Sequence, residues 1–391
     1  MSVVLPGETI GIIGGGQLGR MLALAAKQMG YRIKVVTDEA DSPGTQVADG
    51  ALVCDLKDPS VLPEFLSDVS VVTYETENLS YEFVAAANQF APVRPGLDLL
   101  KMAQHRLREK SGLQEMGLPV GNFAAIRHAH DLESAAERFG YQAVLKTVTG
   151  GYDGKGQWLL TDANDLPKII LETESLFTAD DASTEEAKLI LEEFVTFTAE
   201  FSVIAARSTN GHIETYGPIL NAHRNHILDL SVCPAGFDHR LSEEAIQIAR
   251  SLASQMNVVG LFCIEFFLTD DNRILINEIA PRPHNSGHLT IEGHVTSQFA
   301  QQMRSICGLP LGSPQMLRPF AAMSNLLGDV WSGGQPNWVQ ALATRNVYVH
   351  LYGKAEARLG RKMGHLTVIG DTSEEVTQSA LSCREMLMVR S

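Results

Sequence analysis

Residues Lys146 to Gln157 read K-T-V-T-G-G-Y-D-G-K-G-Q, with one apolar run before them (Ala143, Val144, Leu145) and another after (Trp158, Leu159, Leu160). Two strands joined by a loop is the simplest reading. Gly150, Gly151, Gly154 and Gly156 give that loop more freedom than a hairpin turn needs. Its amides can lie against phosphate oxygens, and it can open and close. Lys146 at the strand end and Lys155 in the loop supply countercharge. A surface hairpin with two solvated lysines is the plainer alternative, and it stays open on the loop alone. The spacing is not that of a Walker A loop, which ends in G-K-[ST] at a helix start.

A second set lies between Gly260 and His288. Leu261–Leu268 and Ile274–Ile279 predict two apolar strands around Thr269-Asp270-Asp271-Asn272-Arg273. With Asp271-Asn272 as a two-residue turn, Glu265 and Glu278 stand directly opposite on one face of an otherwise apolar hairpin. Like charges so placed repel, and burying them unpaired costs on the order of several kcal/mol or raises their pKa. A divalent cation between them removes the difficulty. Oxygen-only ligands select Mg²⁺ or Mn²⁺, completed by water and phosphate oxygens. Both glutamates facing solvent is the alternative, but Cys263, Ile264, Phe266 and Phe267 leave it little room.

The elements that must position these residues read as alternating strands and helices. Thr9–Ile13 is an apolar strand, and Gly14, Gly16 and Gly19 then spell G-x-G-x-x-G. Met21–Met29 has helical periodicity and stops at Gly30; strands follow at Ile33–Thr37, Ala51–Cys54 and Val69–Tyr74. This predicts an α/β protein that opens on a Rossmann-like parallel sheet. The glycines invite a dinucleotide, but the same loop can offer helix N-terminal amides to another phosphate. Glu75, Glu77 and Asn78 leave the fourth strand at its carboxyl end, where such sheets bind ligands. Asp98 is placed as the cap of a helix to about Met116, with Arg106 and Arg108 as a charged face. Strand Phe123–Ile126, helix Leu132–Phe139, strand Leu189–Val195 and a hairpin of Phe201–Arg207 with Ile213–Tyr216 follow; Asp180–Ala187 reads as a surface turn. At 391 residues two or three domains are expected. The net charge of -15 argues against a nucleic-acid surface, and no run near 18 apolar residues predicts a membrane span. Met1–Ile10 lacks the basic start of a signal peptide, and five scattered cysteines fit reduced thiols in a cytoplasm.

A glycine loop preceded by a strand lysine, joined to two strand-borne carboxylates, resembles the ATP-grasp fold. Within it, G-G-G-Q-L-G-R, G-G-Y-D-G-K-G-Q and N-E-I-A-P-R-P-H-N-S-G-H closely resemble the N5-carboxyaminoimidazole ribonucleotide synthetase family, ATP-dependent carboxylases of purine biosynthesis. The likeness runs from the first strand to about His365. Two departures are Val148, where a hydroxyl or small residue is common, and Ala280, where wider ATP-grasp carboxylases often carry Asn; here Asn277 precedes the glutamate.

The resemblance implies a role for each part. Residues 1–106 would form the Rossmann-like domain, 107–310 the ATP-grasp domain with a lid at about 121–196, and 311–391 a small β-rich domain. Arg106, Lys146 and the loop Gly151, Tyr152, Asp153, Gly154, Lys155, Gly156 and Gln157 would hold the ATP phosphates. Glu192, Glu193, Phe194 and Val195 would form the adenine hinge, Glu200 would take the ribose, and His223 and Asn277 would complete the nucleotide site. Glu265 and Glu278 would hold Mg²⁺ or Mn²⁺. Tyr152, Asp153, Arg282, His284, Asn285 and Ser286 would line the carboxylation chamber, while Gln17, Leu18 and Glu75 would face the ribonucleotide. In the tail, G-K-A-E-A-R-L-G-R-K reads as a solvated basic turn, but the family expects Lys354 and Arg361 on the ribonucleotide phosphate, with Arg358 and Lys362 on the solvated side. The substrates implied are aminoimidazole ribonucleotide, bicarbonate and ATP, in a cytoplasmic homodimer. The competing readings are formate-dependent phosphoribosylglycinamide transformylation on the same fold, and a nicotinamide-dependent oxidoreductase using Gly14, Gly16 and Gly19.

Overall fold

The computed structural model describes residues 3–151, 155–177 and 186–388. Four parallel strands open the chain: β1 (Thr9–Ile13), β2 (Arg32–Thr37), β3 (Gly50–Val53) and β4 (Val69–Tyr74), in the order β3-β2-β1-β4. Every residue of β1 is buried, as a central parallel strand covered on both faces requires. Helix Gln17–Gln28 covers one face by burying Leu18, Met21, Leu22 and Ala26 against Ile10, Ile12, Ile33 and Val35. It starts four residues before the predicted periodicity and ends at Met29, followed by Gly30 in the left-handed region (φ +86°).

The predicted helix from Asp98 to Met116 is two helices, Leu97–Ala103 and Arg106–Glu115. His105 interrupts it with an extended backbone, and its ring accepts the Arg108 N–H at 3.2 Å. The Arg106 N–H leaves the helix for the Val148 carbonyl at 2.8 Å. Asp98 therefore lies in a first turn and is not a cap.

A second sheet, order β5-β8-β6-β7, is antiparallel: β5 (Phe123–Ile126), β6 (Ala143–Thr147), β7 (Gln157–Leu160) and β8 (Leu189–Glu193). Lys146 pairs with Gln157, so the glycine stretch does join two strands of one hairpin. Leu145, Leu160, Leu189 and Leu191 bury one face of this sheet under Leu132, Ala135 and Ala136 of helix Ala129–Arg138.

The third sheet has eight strands: β9 (Phe197–Arg207), β10 (Ile213–Arg224), β11 (Ile227–Cys233), β12 (Gly260–Thr269), β13 (Ile274–Ala280), β14 (Phe320–Leu327), β15 (Val347–Leu351) and β16 (Lys362–Gly370). Their order is β13-β12-β9-β10-β11-β14-β16-β15. The C-terminal strands form no sheet of their own, because β14 pairs antiparallel with β11, Leu230 opposite Ser324. Helix Ser373–Leu387 packs Val376, Ala380 and Cys383 over Ala322, Leu326 and Leu366. By contacts the chain forms two compact units: Met1–Leu100 with Phe201–Ile264 and Ala280–Ser391, and Lys101–Glu200 with Glu265–Ile279.

The turn between β12 and β13 corrects the sequence reading. Asn272 N–H bonds the Thr269 carbonyl at 3.1 Å, and Thr269 N–H bonds the Arg273 carbonyl at 3.0 Å. The loop is thus Asp270-Asp271-Asn272, three residues, with Asn272 in the left-handed region (φ +59°) that asparagine tolerates. A third loop residue shifts the register by one and flips which side chains share a face.

Candidate functional site

In the unit formed by Lys101–Glu200 and Glu265–Ile279, helix Arg106–Glu115 organises the charged groups. The Arg106 guanidinium donates to the carbonyls of Thr147 (2.8 Å), Gly150 (2.6 Å) and Gly151 (2.7 Å), gripping the lysine strand and the start of the glycine loop. Gly151 sits at φ +73°, and a Cβ there would lie 2.4 Å from the Lys155 carbonyl oxygen, so only glycine fits. Lys155 and Gln157 are exposed and Gly156 is half-buried. Tyr152, Asp153 and Gly154 lie outside the described residues.

Lys146 Nζ donates to Glu192 Oε2 at 3.1 Å, and buried Lys110 lies 3.8 Å from the same oxygen. Burial opposes ionisation of Glu192 more than any other single influence. Lys110, Lys146 and Arg106 together outweigh it and hold the carboxyl below its ordinary range. Glu192 is therefore the centre of an ion-pair network as well as the first residue of the expected hinge. Its successors differ: Glu193 accepts from the Asn122 amide at 2.6 Å, Phe194 N–H bonds the Gln142 carbonyl at 2.9 Å, and Val195 and Glu200 are half-buried.

The sequence reading missed Glu109 and Lys110. Lys110 Nζ donates to the carbonyls of Ile276 (3.1 Å) and Asn277 (2.7 Å), and Glu109 Oε2 accepts the Ile279 N–H at 3.2 Å. Two adjacent side chains thus clamp the backbone on both sides of Glu278. Burial first, then the charges of Glu278 and Glu192, push the Glu109 carboxyl upward; Lys110 and the Ile279 N–H oppose the rise. The available signal was a helix polar nearly all round that still buries residues, which demands partners for its charges.

Glu265 is half-buried, Asn277 is half-buried, and Glu278 is exposed. The predicted burial of both glutamates is therefore wrong for Glu278. The three-residue turn lines Glu265 up with Asn277 and not with Glu278: on β12 the half-exposed positions are Glu265 and Phe267, on β13 they are Leu275 and Asn277, and Glu278 is exposed although it alternates with buried Ile274 and Ile276. Among the described residues no group of three or more His, Cys, Asp or Glu side chains forms a metal cluster.

In the other unit the G-x-G-x-x-G loop already has its anion. Glu75 leaves β4 and its carboxylate accepts the Gly16 N–H and, at 2.6 Å, the Gly19 N–H. A Cβ on Gly14 would sit 2.4 Å from Glu75 Cγ, so the carboxylate lies directly against the loop. The Gly16 and Gly19 amides, which the dinucleotide reading and the phosphate reading would both turn to a ligand, are thus occupied by the chain itself, which counts against both. Burial raises the Glu75 pKa most, against the pull of those amides, Arg282 and Lys354.

Lys354 Nζ donates to Gln17 Oε1 (2.5 Å) and to the Lys362 carbonyl (2.8 Å), bringing together two residues 337 positions apart. Burial first, then Arg361, lowers its pKa to about 8. Arg361 is half-buried and donates to the Glu356 carbonyl at 3.0 Å; Arg358 is exposed and paired with Glu356. Lys362 is half-buried on β16, not on a solvated face as expected, because it opens a strand of the sheet. Leu18 packs into the core with Ile10 and Phe299, so its side chain does not face a ligand. His223 is exposed beside an irregularity of β10.

Arg282 makes a two-point ion pair with Glu77 (2.5 and 2.9 Å), which holds the Glu77 carboxyl below its ordinary range against strong desolvation. The next segment is held by Gln298, whose amide accepts the His284 N–H (2.9 Å) and donates to the His284 carbonyl (2.7 Å). His284 Nδ1 lies 2.8 Å from Ser286 Oγ. Asn285 is buried, yet among the described residues neither its Oδ1 nor its Nδ2 has a partner. A buried amide with both ends unmet has room for two further hydrogen bonds, to water or to a bound molecule.

Three regions of the chain match known families: a ribonucleotide synthetase preATP-grasp domain over residues 7–104, an ATP-grasp domain over 111–299 and a phosphoribosylaminoimidazole carboxylase C-terminal domain over 321–379. The N5-carboxyaminoimidazole ribonucleotide synthase of Bacillus subtilis is 39% identical over 376 residues, 96% of this chain and 95% of that one. A crystal structure of an N5-carboxyaminoimidazole ribonucleotide synthetase with ADP superposes with a TM-score of 0.90 at 41% identity, covering 98% of each chain. The Aspergillus clavatus enzyme in complex with ADP and 5-aminoimidazole ribonucleotide gives 0.85 at 27% identity, covering 97% of this chain and 98% of that one.

Proposed function

The chain belongs to the N5-carboxyaminoimidazole ribonucleotide synthase family of ATP-grasp ligases, and from that premise we propose the reaction it performs and the residues that perform it. It carboxylates 5-aminoimidazole ribonucleotide on its amine, using ATP and bicarbonate and releasing ADP and phosphate, in purine biosynthesis. The observation that carries this is the match in identity and fold along nearly the whole chain.

Bicarbonate is a poor electrophile, so its oxygen attacks the γ-phosphate and the product is carboxyphosphate. Lys146, Lys155 and the amides of the glycine loop neutralise the charge that gathers on the phosphoryl oxygens. Arg106 holds the carbonyls of Gly150 and Gly151 at the start of that loop. Carboxyphosphate hydrolyses readily, so the loop must also exclude water. Glu192, Glu193, Phe194, Val195, Glu200 and His223 hold the nucleoside. Glu265 and Glu278, with Asn277 beside them, are all-oxygen donors of the kind Mg²⁺ takes. The ion, when bound, screens the ATP phosphates. Arg282, His284, the unpartnered amide of Asn285, and Ser286 receive the carboxyl group and the amine, together with Tyr152 and Asp153. Lys354 and Arg361 grip the ribonucleotide phosphate; Gln17 orients Lys354, and Glu75 fixes the loop beneath. A cytoplasmic homodimer completes the proposal, and among the described residues no helix is long and apolar enough to cross a membrane.

Phosphate release from ATP, measured with bicarbonate and with or without aminoimidazole ribonucleotide, tests the reading. Release should require Mg²⁺ and match carboxylated product in amount. Equal turnover with formate in bicarbonate-free buffer would refute it.

A further inference from the structure

Behind His284 a file of hydroxyls and one amide crosses three strands. Ser286 Oγ lies 2.8 Å from His284 Nδ1 and 2.7 Å from Ser202 Oγ. Asn221 Nδ2 donates to Ser202 Oγ at 3.1 Å, and Ser231 Oγ donates to Asn221 Oδ1 at 2.9 Å. Ser202 is on β9, while Asn221 and Ser231 face each other across β10 and β11. Ser202, Ser231 and Ser286 are fully buried and Asn221 is 6% exposed. Apolar side chains at such inward positions would serve stability equally well, so the polar file calls for another explanation.

The file has a direction. The Ser286 backbone N–H can only donate, and it points at His284 Nδ1 from 3.4 Å. That contact biases Nδ1 toward accepting, but at this length it is too weak to fix the tautomer by itself. The file adds to that bias: the Asn221 amide supplies Ser202, which frees the Ser202 hydroxyl to give its hydrogen to Ser286 and the Ser286 hydroxyl to give its own to Nδ1. Each hydroxyl sends its one proton toward the ring, and every acceptor along the file is satisfied. Reversal would set an Nδ1–H against the Ser286 N–H, donor against donor. The ring proton of neutral His284 is left on Nε2.

We propose that Ser202 and Asn221 are positioning residues that lock His284 in its Nε2–H form, so that it meets the substrate as a neutral hydrogen-bond donor. An Nε2–H suits an anionic oxygen, such as those of the carboxyl group in transfer, and cannot take the proton from the substrate amine. The second half of this statement rests on the place given to His284 under the proposed function; the lock itself does not.

Nitrogen-15 NMR of the ligand-free protein labelled at histidine distinguishes the two tautomers, and His284→Gln identifies the signals of this ring. Wild type at about pH 7.5 should show Nε2 protonated and Nδ1 bare, above the ordinary range of imidazole titration. Ser202→Thr, which keeps a hydroxyl, should look the same, whereas Ser202→Ala and Asn221→Ala should show both tautomers. In kinetics Ser202→Ala should lower kcat roughly five- to twentyfold with the KM for ATP unchanged, and Ser202→Thr should restore it. An Nδ1–H signal in wild type overturns the proposal without any variant having to fold. So does an unchanged tautomer in both alanine variants. The NMR result is obtained without substrate, so it is independent of whether the enzyme carboxylates.

Discussion

Above about pH 8 the enzyme should lose its hold on the ribonucleotide while its hold on ATP stays level, and Lys354 is the reason. Burial takes its ammonium out of water and Arg361 repels it; together they bring the pKa down to about 8, with Lys362 acting in the same sense and Glu75 and Glu39 against it. Its hydrogens already reach Gln17 and the Lys362 carbonyl, which leaves one of an ammonium's three for a phosphate oxygen. A hydrogen bond to a charged group contributes about 1.5–3 kcal/mol, or roughly ten- to a hundredfold in affinity. Lys354→Ala should therefore raise the ribonucleotide KM by roughly that factor at neutral pH. In wild type, kcat/KM for the ribonucleotide reports the free enzyme, so it should be level below pH 8 and fall about tenfold per unit above it. Bound phosphate keeps the proton on the lysine, so kcat should show no matching fall. Lys354→Arg stays charged throughout and should abolish the fall, whatever it does to absolute affinity. Arg358→Ala is the control, being exposed and paired with Glu356. Steady-state kinetics between about pH 6.5 and 9.5 decide the matter. A wild-type profile level through pH 9, or the same fall in Lys354→Arg, refutes the reasoning.

Glu278→Gln should remove most activity and raise the Mg²⁺ requirement while leaving the thermal midpoint within about 2 °C, because the side chain is exposed; normal turnover at low Mg²⁺ would count against the metal assignment. Lys110→Met leaves two buried carbonyls and one partner of Glu192 unmet, so denaturant titration should show a loss of about 3–5 kcal/mol, and a loss below about 1 kcal/mol would contradict the clamp. Gly14→Ala, at φ +102° and against Glu75, should give protein with a lower melting temperature and a ribonucleotide KM raised more than that for ATP. His288 and His365 are buried neutral with pKa values well below the ordinary 6.5, burial being the main cause. An unfolded chain binds those protons and the folded one does not, so stability should be full above pH 6.5 and decline below it; a denaturation midpoint that rises on acidification would reverse the sign.

Local pattern made much of the fold legible. The limits of β1, β4 and β5 coincide with the apolar runs that announced them, because a strand between glycine and polar punctuation has little freedom in where it ends. That β6 and β7 are joined by the glycine stretch followed from apolar runs on either side of it, though the register of Lys146 with Gln157 did not. The turn after β12 was less legible because Asp270, Asp271 and Asn272 all favour turns. Whether two or three of them form the loop depends on which one enters the left-handed region. That single choice decided that Glu265 lines up with Asn277 and not with Glu278.

Partners far away in the chain were out of reach. Glu75 and the amides of Gly16 and Gly19 are 59 and 56 residues apart, and a G-x-G-x-x-G loop looks the same whether its amides await a phosphate or already hold a carboxylate. The difference matters for function. A carboxylate built into the loop repels a second anion there, so under the proposed function the ribonucleotide phosphate would be drawn by cations instead. In a chain of net charge -15 those cations have to be held in place. Lys354, fixed by Gln17 from the residues of that same loop, meets this need. The glycine motif and the basic tail, which look like rival phosphate sites in the sequence, are two parts of one arrangement: the first positions the lysine that the second supplies.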